Sequence, residues 1–121
     1  AIGNFIRDCL AGEPIVIKGD GTPQRSYLYA DDLVEWLFAV LDRGASGRPY
    51  NVGSPEGLSI RDLAERVRAA LGAKNDIRVL GVPVPGAPPS VYVPDVSRAM
   101  QELGLRTTVG FAEAVRSSAA I

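Results

Sequence analysis

One fourteen-residue stretch constrains this chain more than any other: Gly19-Asp20-Gly21-Thr22-Pro23-Gln24-Arg25-Ser26-Tyr27-Leu28-Tyr29-Ala30-Asp31-Asp32. Two glycines flank Asp20 and Pro23 follows. That dictates a tight turn, because glycine reaches positive φ without steric cost and proline locks φ. Arg25 leaves the turn ahead of an alternating run, with Tyr27 and Tyr29 on one side and Leu28 and Ala30 on the other, which predicts a short strand over 27–30. Asp31 and Asp32 then open an apolar helix, where carboxylates can cap free N–H groups and meet the positive end of the helix dipole. A turn–strand–helix unit of this kind holds one arginine at its mouth. The planar five-donor guanidinium there suits a phosphate or diphosphate.

The rest of the composition narrows the function classes. The chain has 121 residues, room for one domain, 1–121. At this length roughly two-thirds of the unfolded chain's surface can be buried, so a true core is possible. Net charge is −1, which leaves no basic field for nucleic acid; an anionic ligand must be caught by local arginines. Cys9 is the only cysteine, so no intrachain disulfide can form and a reducing, cytoplasmic setting is expected. Its place in a helical pattern predicts packing rather than reactivity. Histidine is absent, which removes the commonest metal ligand and the commonest general base. No apolar run approaches the roughly 18 residues that span a bilayer, so no membrane partner is expected. The opening Ala1-Ile2-Gly3-Asn4 has neither an initiator methionine nor a signal-peptide layout and reads as the middle of a longer protein.

Along the chain, Ile2, Phe5, Ile6 and Leu10 recur at helical spacing up to Gly12. Ile15-Val16-Ile17 predicts a strand that enters the turn. From Asp32 to Arg43 a helix carries Leu33, Val34, Trp36, Leu37, Phe38, Val40 and Leu41, apolar nearly all round, which predicts the most buried helix of the fold, with Trp36 in the core. Tyr50-Asn51-Val52-Gly53 predicts another strand. Ser59 with Asp62 three residues on predicts a capped helix with Ile60, Leu63, Ala64, Val67 and Leu71 inward. Ile77 to Leu80 predicts a further strand. Gly81 to Ser90, with four prolines and two glycines, is a rigid connector or a pocket wall. Val91-Tyr92-Val93 resumes a strand pattern, Asp95 caps a helix that ends at Gly104, and Thr108 caps the last one.

Catalytic constellations are sparse. There is no Gly-x-Gly-x-x-Gly dinucleotide fingerprint, no P-loop and no Gly-x-Ser-x-Gly elbow. None of Tyr27, Tyr29, Tyr50 and Tyr92 has a lysine four residues on. No catalytic residue is assigned, and the 121 residues alone are expected to be inactive.

In order along the chain, the Gly19-Asp20-Gly21-x-x-x-Arg25-x-Tyr27-x-Tyr29-x-Asp31-Asp32 stretch, Tyr50-Asn51-Val52-Gly53-Ser54, Ser59-Ile60-x-x-Leu63-Ala64, Pro94-Asp95-Val96-Ser97-Arg98-Ala99 and Leu103-Gly104 resemble the C-terminal part of extended short-chain dehydrogenase/reductases, the NAD-dependent nucleotide-sugar epimerases and dehydratases. Phe5-Ile6 and Gly12-Glu13-Pro14 fit the same lead-in. The resemblance implies a mixed α/β fold of about five helices and short strands, the C-terminal portion of an enzyme whose N-terminal Rossmann half would hold NAD or NADP and the catalytic pair. This portion would bind no cofactor itself and would form the pocket for a nucleoside-diphosphate sugar. Arg25 would contact the diphosphate or the nucleoside, and the strand from Ile15 to Lys18, with Ile17 and Lys18 at its end, would line the base pocket.

The chain departs from that pattern twice. Lys18 stands where an aromatic often precedes the turn, and Val84-Pro85-Gly86 stands where an Arg-Pro-Gly often supplies a second diphosphate ligand; no arginine lies between Gly81 and Ser97. Alternatives are a free-standing binding module, or part of a reductase or isomerase of the same superfamily with a non-nucleotide substrate. The Tyr50–Gly53 strand would join the large sheet of the N-terminal half. Without that sheet its open edge implies a homo-oligomer.

Overall fold

A computed structural model describes residues 1–121 as a mixed α/β fold with five helices and five short strands. Helix α1 (Ile2–Ala11) closes at Gly12, whose left-handed backbone turns the chain into strand β1 (Ile15–Ile17). The Gly19 turn leads to β2 (Gln24–Arg25), and helix α2 (Ala30–Arg43) follows. Next come β3 (Leu58–Ser59), helix α3 (Ile60–Ala70) and β4 (Ile77–Val79). Strand β5 (Val91–Tyr92), helix α4 (Ser97–Leu103) and helix α5 (Phe111–Ala119) complete the chain. No helix is long and apolar enough to cross a membrane.

The strands form two small sheets. β1 pairs in parallel with β4, Ile15 opposite Ile77 and Ile17 opposite Val79. β2 lies between β3 and β5, antiparallel to the first and parallel to the second. The strand predicted over Tyr27–Ala30 is thus displaced to Gln24–Arg25, where β3 and β5 supply ladder partners. The alternation of Tyr27 and Leu28 has a different cause: Tyr27 packs against one core cluster and Leu28 against another as the chain runs between them. Likewise Tyr50–Gly53 has no ladder partner and forms no strand. Tyr50 and Val52 instead pack on the smaller core.

The main core joins Phe5 of α1, Ile15 and Ile17 of β1, Leu58, the α3 residues Leu63, Ala64 and Val67, and Val115 of α5. The smaller one joins Trp36, Val96 and Ala99. The most buried helix is α3, whose Leu63, Ala64 and Val67 are fully enclosed, and not α2 as the composition predicts. On α2 only Asp32, Trp36 and Ala39 are buried, while Val34, Leu37, Phe38 and Leu41 lie open. Helix α2 packs on α4 along one side, and an all-round apolar helix is buried only where neighbours surround it. Trp36 does occupy the core, its indole N–H donating to the Arg106 carbonyl at 3.1 Å.

Capping agrees with sequence where it is local. The Ser59 hydroxyl accepts the Asp62 N–H at 3.0 Å, as the spacing predicts. Elsewhere it does not. The α2 N-cap position is Tyr29, and neither Asp31 nor Asp32 caps the helix they open. The α5 N-cap is Gly110, not Thr108. Asp95 makes a short turn one residue early, accepting the Ser97 N–H at 2.9 Å. Cys9 is half-buried against the main core, and burial followed by the Asp8 charge pushes its thiol pKa up, away from reactivity.

Candidate functional site

The turn that carries Arg25 is held from three sides. Inside it, the Asp20 carboxylate accepts both the hydroxyl and the N–H of Thr22, at 2.7 and 2.9 Å, and these bonds keep its pKa below the usual carboxylate range. On one flank the first residues of α3 donate to it, Ile60 N–H to the Pro23 carbonyl at 3.0 Å and Arg61 N–H to the Gly21 carbonyl at 3.1 Å. Gly21 has φ of 79°, and a Cβ there would stand 3.2 Å from the Arg61 Cβ, so glycine is required by conformation and by crowding together. On the other flank the proline-rich loop is fastened at both ends. Gly81 N–H donates to the Gly19 carbonyl at 2.8 Å, and Gln24 N–H donates to the Ser90 carbonyl at 2.7 Å.

Arg25 occupies the middle strand of the three-stranded sheet and is half-buried. Its Nη1 donates to its neighbour's carbonyl, Gln24 O, at 2.7 Å and reaches Ser90 O at 3.5 Å. The Tyr92 ring lies across from its Cζ, 6.0 Å to the centroid. Five ion pairs are present, and none includes Arg25. Its Nε and Nη2 donate to no protein acceptor. These two nitrogens form one edge of the fork, the edge that binds a carboxylate or phosphate in bidentate fashion.

The three residues predicted for the site are placed differently. Arg25 stands as described. Lys18 is exposed at the entry to the turn. The Ile17 side chain is buried in the main core, and its carbonyl accepts the Leu80 N–H at 2.9 Å. Beyond Arg25, starting at Ser26, lies a cavity of about 670 Å³ lined by Tyr27, Tyr29, Asp31, Ser54, Glu56 and Phe111 among others. Its charged lining residues are all acidic and Arg25 is not among them, so it is not an anion pocket. Burial pushes the Tyr27 phenol pKa up, and the Arg25 charge pulls it back only in part, so this tyrosine stays protonated near neutrality.

Sequence reasoning missed Tyr92 and Ser90. They reach Arg25 through a parallel pairing of segments more than sixty residues apart. The one local signal was the β-branched and aromatic triplet at 91–93.

The description "NAD dependent epimerase/dehydratase family" belongs to the family model that matches residues 1–53. UDP-glucuronic acid decarboxylase 6 of Arabidopsis thaliana is 32% identical over 112 residues, which is 93% of this chain and 32% of that protein. UDP-glucuronic acid 4-epimerase from Bacillus cereus, solved with UDP-glucuronic acid and NAD, superposes with a TM-score of 0.80 at 28% identity, over 99% of this chain and 38% of that one. The chain is thus similar to the NAD-dependent epimerase/dehydratase family, whose model covers its first 53 residues. It spans about a third of the length of the curated relatives it matches. UDP-glucose 4-epimerase from Thermotoga maritima, at 23% identity and a TM-score of 0.82, shows the same fold.

The glycine-rich turn of this chain does not fit a dinucleotide. It opens into strand β2 and not into a helix, so no helix N-terminus is aimed at a pyrophosphate. The space above Gly21 is taken by Arg61.

Proposed function

We propose that residues 1–121 form the C-terminal substrate-binding portion of an NAD(P)-dependent epimerase/dehydratase-family enzyme, and that the substrate is a nucleoside-diphosphate sugar anchored by Arg25. The free Nε–Nη2 edge of a half-buried guanidinium with no carboxylate partner carries this reading. The relatives support it: one is named a UDP-glucuronic acid decarboxylase, and one neighbour was solved with UDP-glucuronic acid. Lys18, exposed at the entry to the same turn, adds a second positive charge to the approach. Ile17 contributes through the strand it locks into the core rather than through a side-chain contact. The dinucleotide and the hydride chemistry belong to the part of the family's polypeptide that this chain does not span.

Isothermal titration of the full chain with UDP-glucuronic acid, UDP-glucose and dTDP-glucose tests this. One of them binds, and Arg25→Ala weakens it at least about tenfold, the loss expected for a bidentate charge-assisted contact. Unchanged affinity in Arg25→Ala overturns the assignment. A second reading, a non-nucleotide substrate on the same scaffold, is favoured by the lack of any arginine between Gly81 and Ser97. Failure of all three nucleotide sugars to bind would select it.

A further inference from the structure

The guanidinium of Arg25 is held by hydrogen bonds on one nitrogen alone, Nη1 donating to Gln24 O at 2.7 Å and reaching Ser90 O at 3.5 Å. Bonds on one nitrogen leave the rest of the guanidinium free to swing about it. Its Cζ also lies over the ring of Tyr92, 6.0 Å from the centroid. Parallel pairing of β2 with β5 sets Tyr92 directly opposite Arg25 in register. Across the three strands burial falls steadily, from Leu58 at 6% exposed through half-buried Arg25 to Tyr92 at 77%. An aromatic ring so exposed gains little from burying its own surface, so the core does not account for its place.

We propose that Tyr92 is a positioning residue for Arg25: its ring holds the face of the guanidinium so that the Nε–Nη2 edge is presented to the ligand diphosphate. The proposal rests on the diphosphate role proposed above for Arg25. It also gives the proline-rich loop a purpose. Four prolines stiffen the segment from Gly81 to Ser90, and both its ends are tied to the turn that carries Arg25, at Gly19 and at Gln24. Tyr92 is therefore set against Arg25 by a short, stiff, doubly fastened strap. The loop supplies an aromatic ring where it has no second cation to offer.

Two measurements on the full chain test the proposal. In the first, the Arg25 Nε–H resonance is assigned with Arg25→Lys and followed by ¹H–¹⁵N NMR. Tyr92→Leu removes the ring-current shift and moves this resonance, whereas Tyr92→Phe leaves it close to wild type. An unmoved resonance in Tyr92→Leu overturns the proposal. In the second, uridine diphosphate is titrated calorimetrically. Tyr92→Leu weakens binding by about three- to fivefold, the size of a cation–π contact at an exposed site, and Tyr92→Phe restores it. In an Arg25→Gln background Tyr92→Leu has no further effect. Equal affinity of Tyr92→Leu and wild type also overturns the proposal. If wild type itself fails to bind uridine diphosphate, the diphosphate reading of Arg25 fails, and the NMR shift still decides whether Tyr92 holds Arg25. Thermal unfolding of Tyr92→Leu stays at the wild-type midpoint, which separates positioning from loss of fold.

Discussion

The carboxylate of Asp32 holds Thr108 across seventy-six residues of sequence: one oxygen accepts the Thr108 N–H at 2.9 Å, and the other accepts its hydroxyl. The Val109 N–H adds a third bond at 3.1 Å. Asp32 is on α2, which packs on the Trp36 cluster, and the segment it grips leads straight into α5, which packs on the main core. One buried carboxylate therefore ties the two cores together. Asp32→Ala should destabilise the fold by about 2–3 kcal/mol, since it removes bonds to a charged acceptor and strands their donors. Denaturant unfolding measures this, and a loss under about 0.5 kcal/mol, the range of an ordinary surface change, would show that the clamp is not needed.

The same contact gives stability a pH dependence of known sign. Burial alone would raise the Asp32 pKa, but the bonds from Thr108 and Val109 outweigh it and hold it below the ordinary carboxylate value. A depressed folded-state pKa means the stabilisation is full above the unfolded value, about 3.9, and is lost as pH falls through the lower folded one. Wild type should therefore lose stability as pH drops below about 4. Asp32→Asn, which cannot titrate, should be weaker at neutral pH and show a flatter acid limb. Asp95 and Glu102 also have lowered values, but they are exposed and face Arg98 and Arg48, and added salt should screen that share. Parallel acid limbs for wild type and Asp32→Asn would contradict this account.

What could be read from sequence was local. Ser59 announced its helix because cap and capped N–H are three residues apart. The runs Ile15–Ile17 and Ile77–Val79 read as strands, but nothing local said that they pair with each other. The Tyr27–Leu28 alternation was real, yet it reported two cores on opposite sides of the chain and not a ladder. The apolar character of α2 was legible; its exposure was not, because burial depends on what else the fold brings alongside. At the site the turn chemistry singled out Arg25, and the residues that surround it, Ser90 and Tyr92, arrive only through tertiary pairing. Asp32 looked like a helix cap because adjacent acids at a helix start commonly are. Its true partner lies beyond the reach of any spacing rule.

Two glycines that face each other should respond in opposite ways to alanine. A Cβ on Gly81 would stand 2.5 Å from the Gly19 carbonyl carbon and 2.7 Å from the Asp20 nitrogen, both backbone atoms that cannot swing aside. Gly19 has open space around its own Cβ position and no positive φ. Gly81→Ala should push the proline-rich loop off the turn, costing about 1–3 kcal/mol and weakening uridine diphosphate binding together with stability. Gly19→Ala should be neutral to slightly stabilising, within about 0.5 kcal/mol, because it only reduces the freedom of the unfolded chain. Thermal unfolding and titration of both variants check the contrast, and equal behaviour would mean that the loop is not seated on the turn.

The exposed side of α2 bears on self-association. Val34, Leu37, Phe38 and Leu41 are 50%, 52%, 67% and 82% exposed and recur at i, i+3, i+4 and i+7, so they form one apolar stripe along the helix. A contiguous stripe of this kind favours a partner over water, and it is a larger driving force than the open Tyr50–Gly53 backbone from which sequence predicts an oligomer. The 121-residue chain should therefore associate with rising concentration in sedimentation equilibrium. Leu37→Gln with Leu41→Gln should shift it toward monomer. The unfolding midpoint should barely change, because these side chains contribute little to the core and glutamine keeps helix propensity. A chain that stays monomeric at several hundred micromolar, or a double variant that associates as strongly as wild type, would mean that this stripe is not the contact.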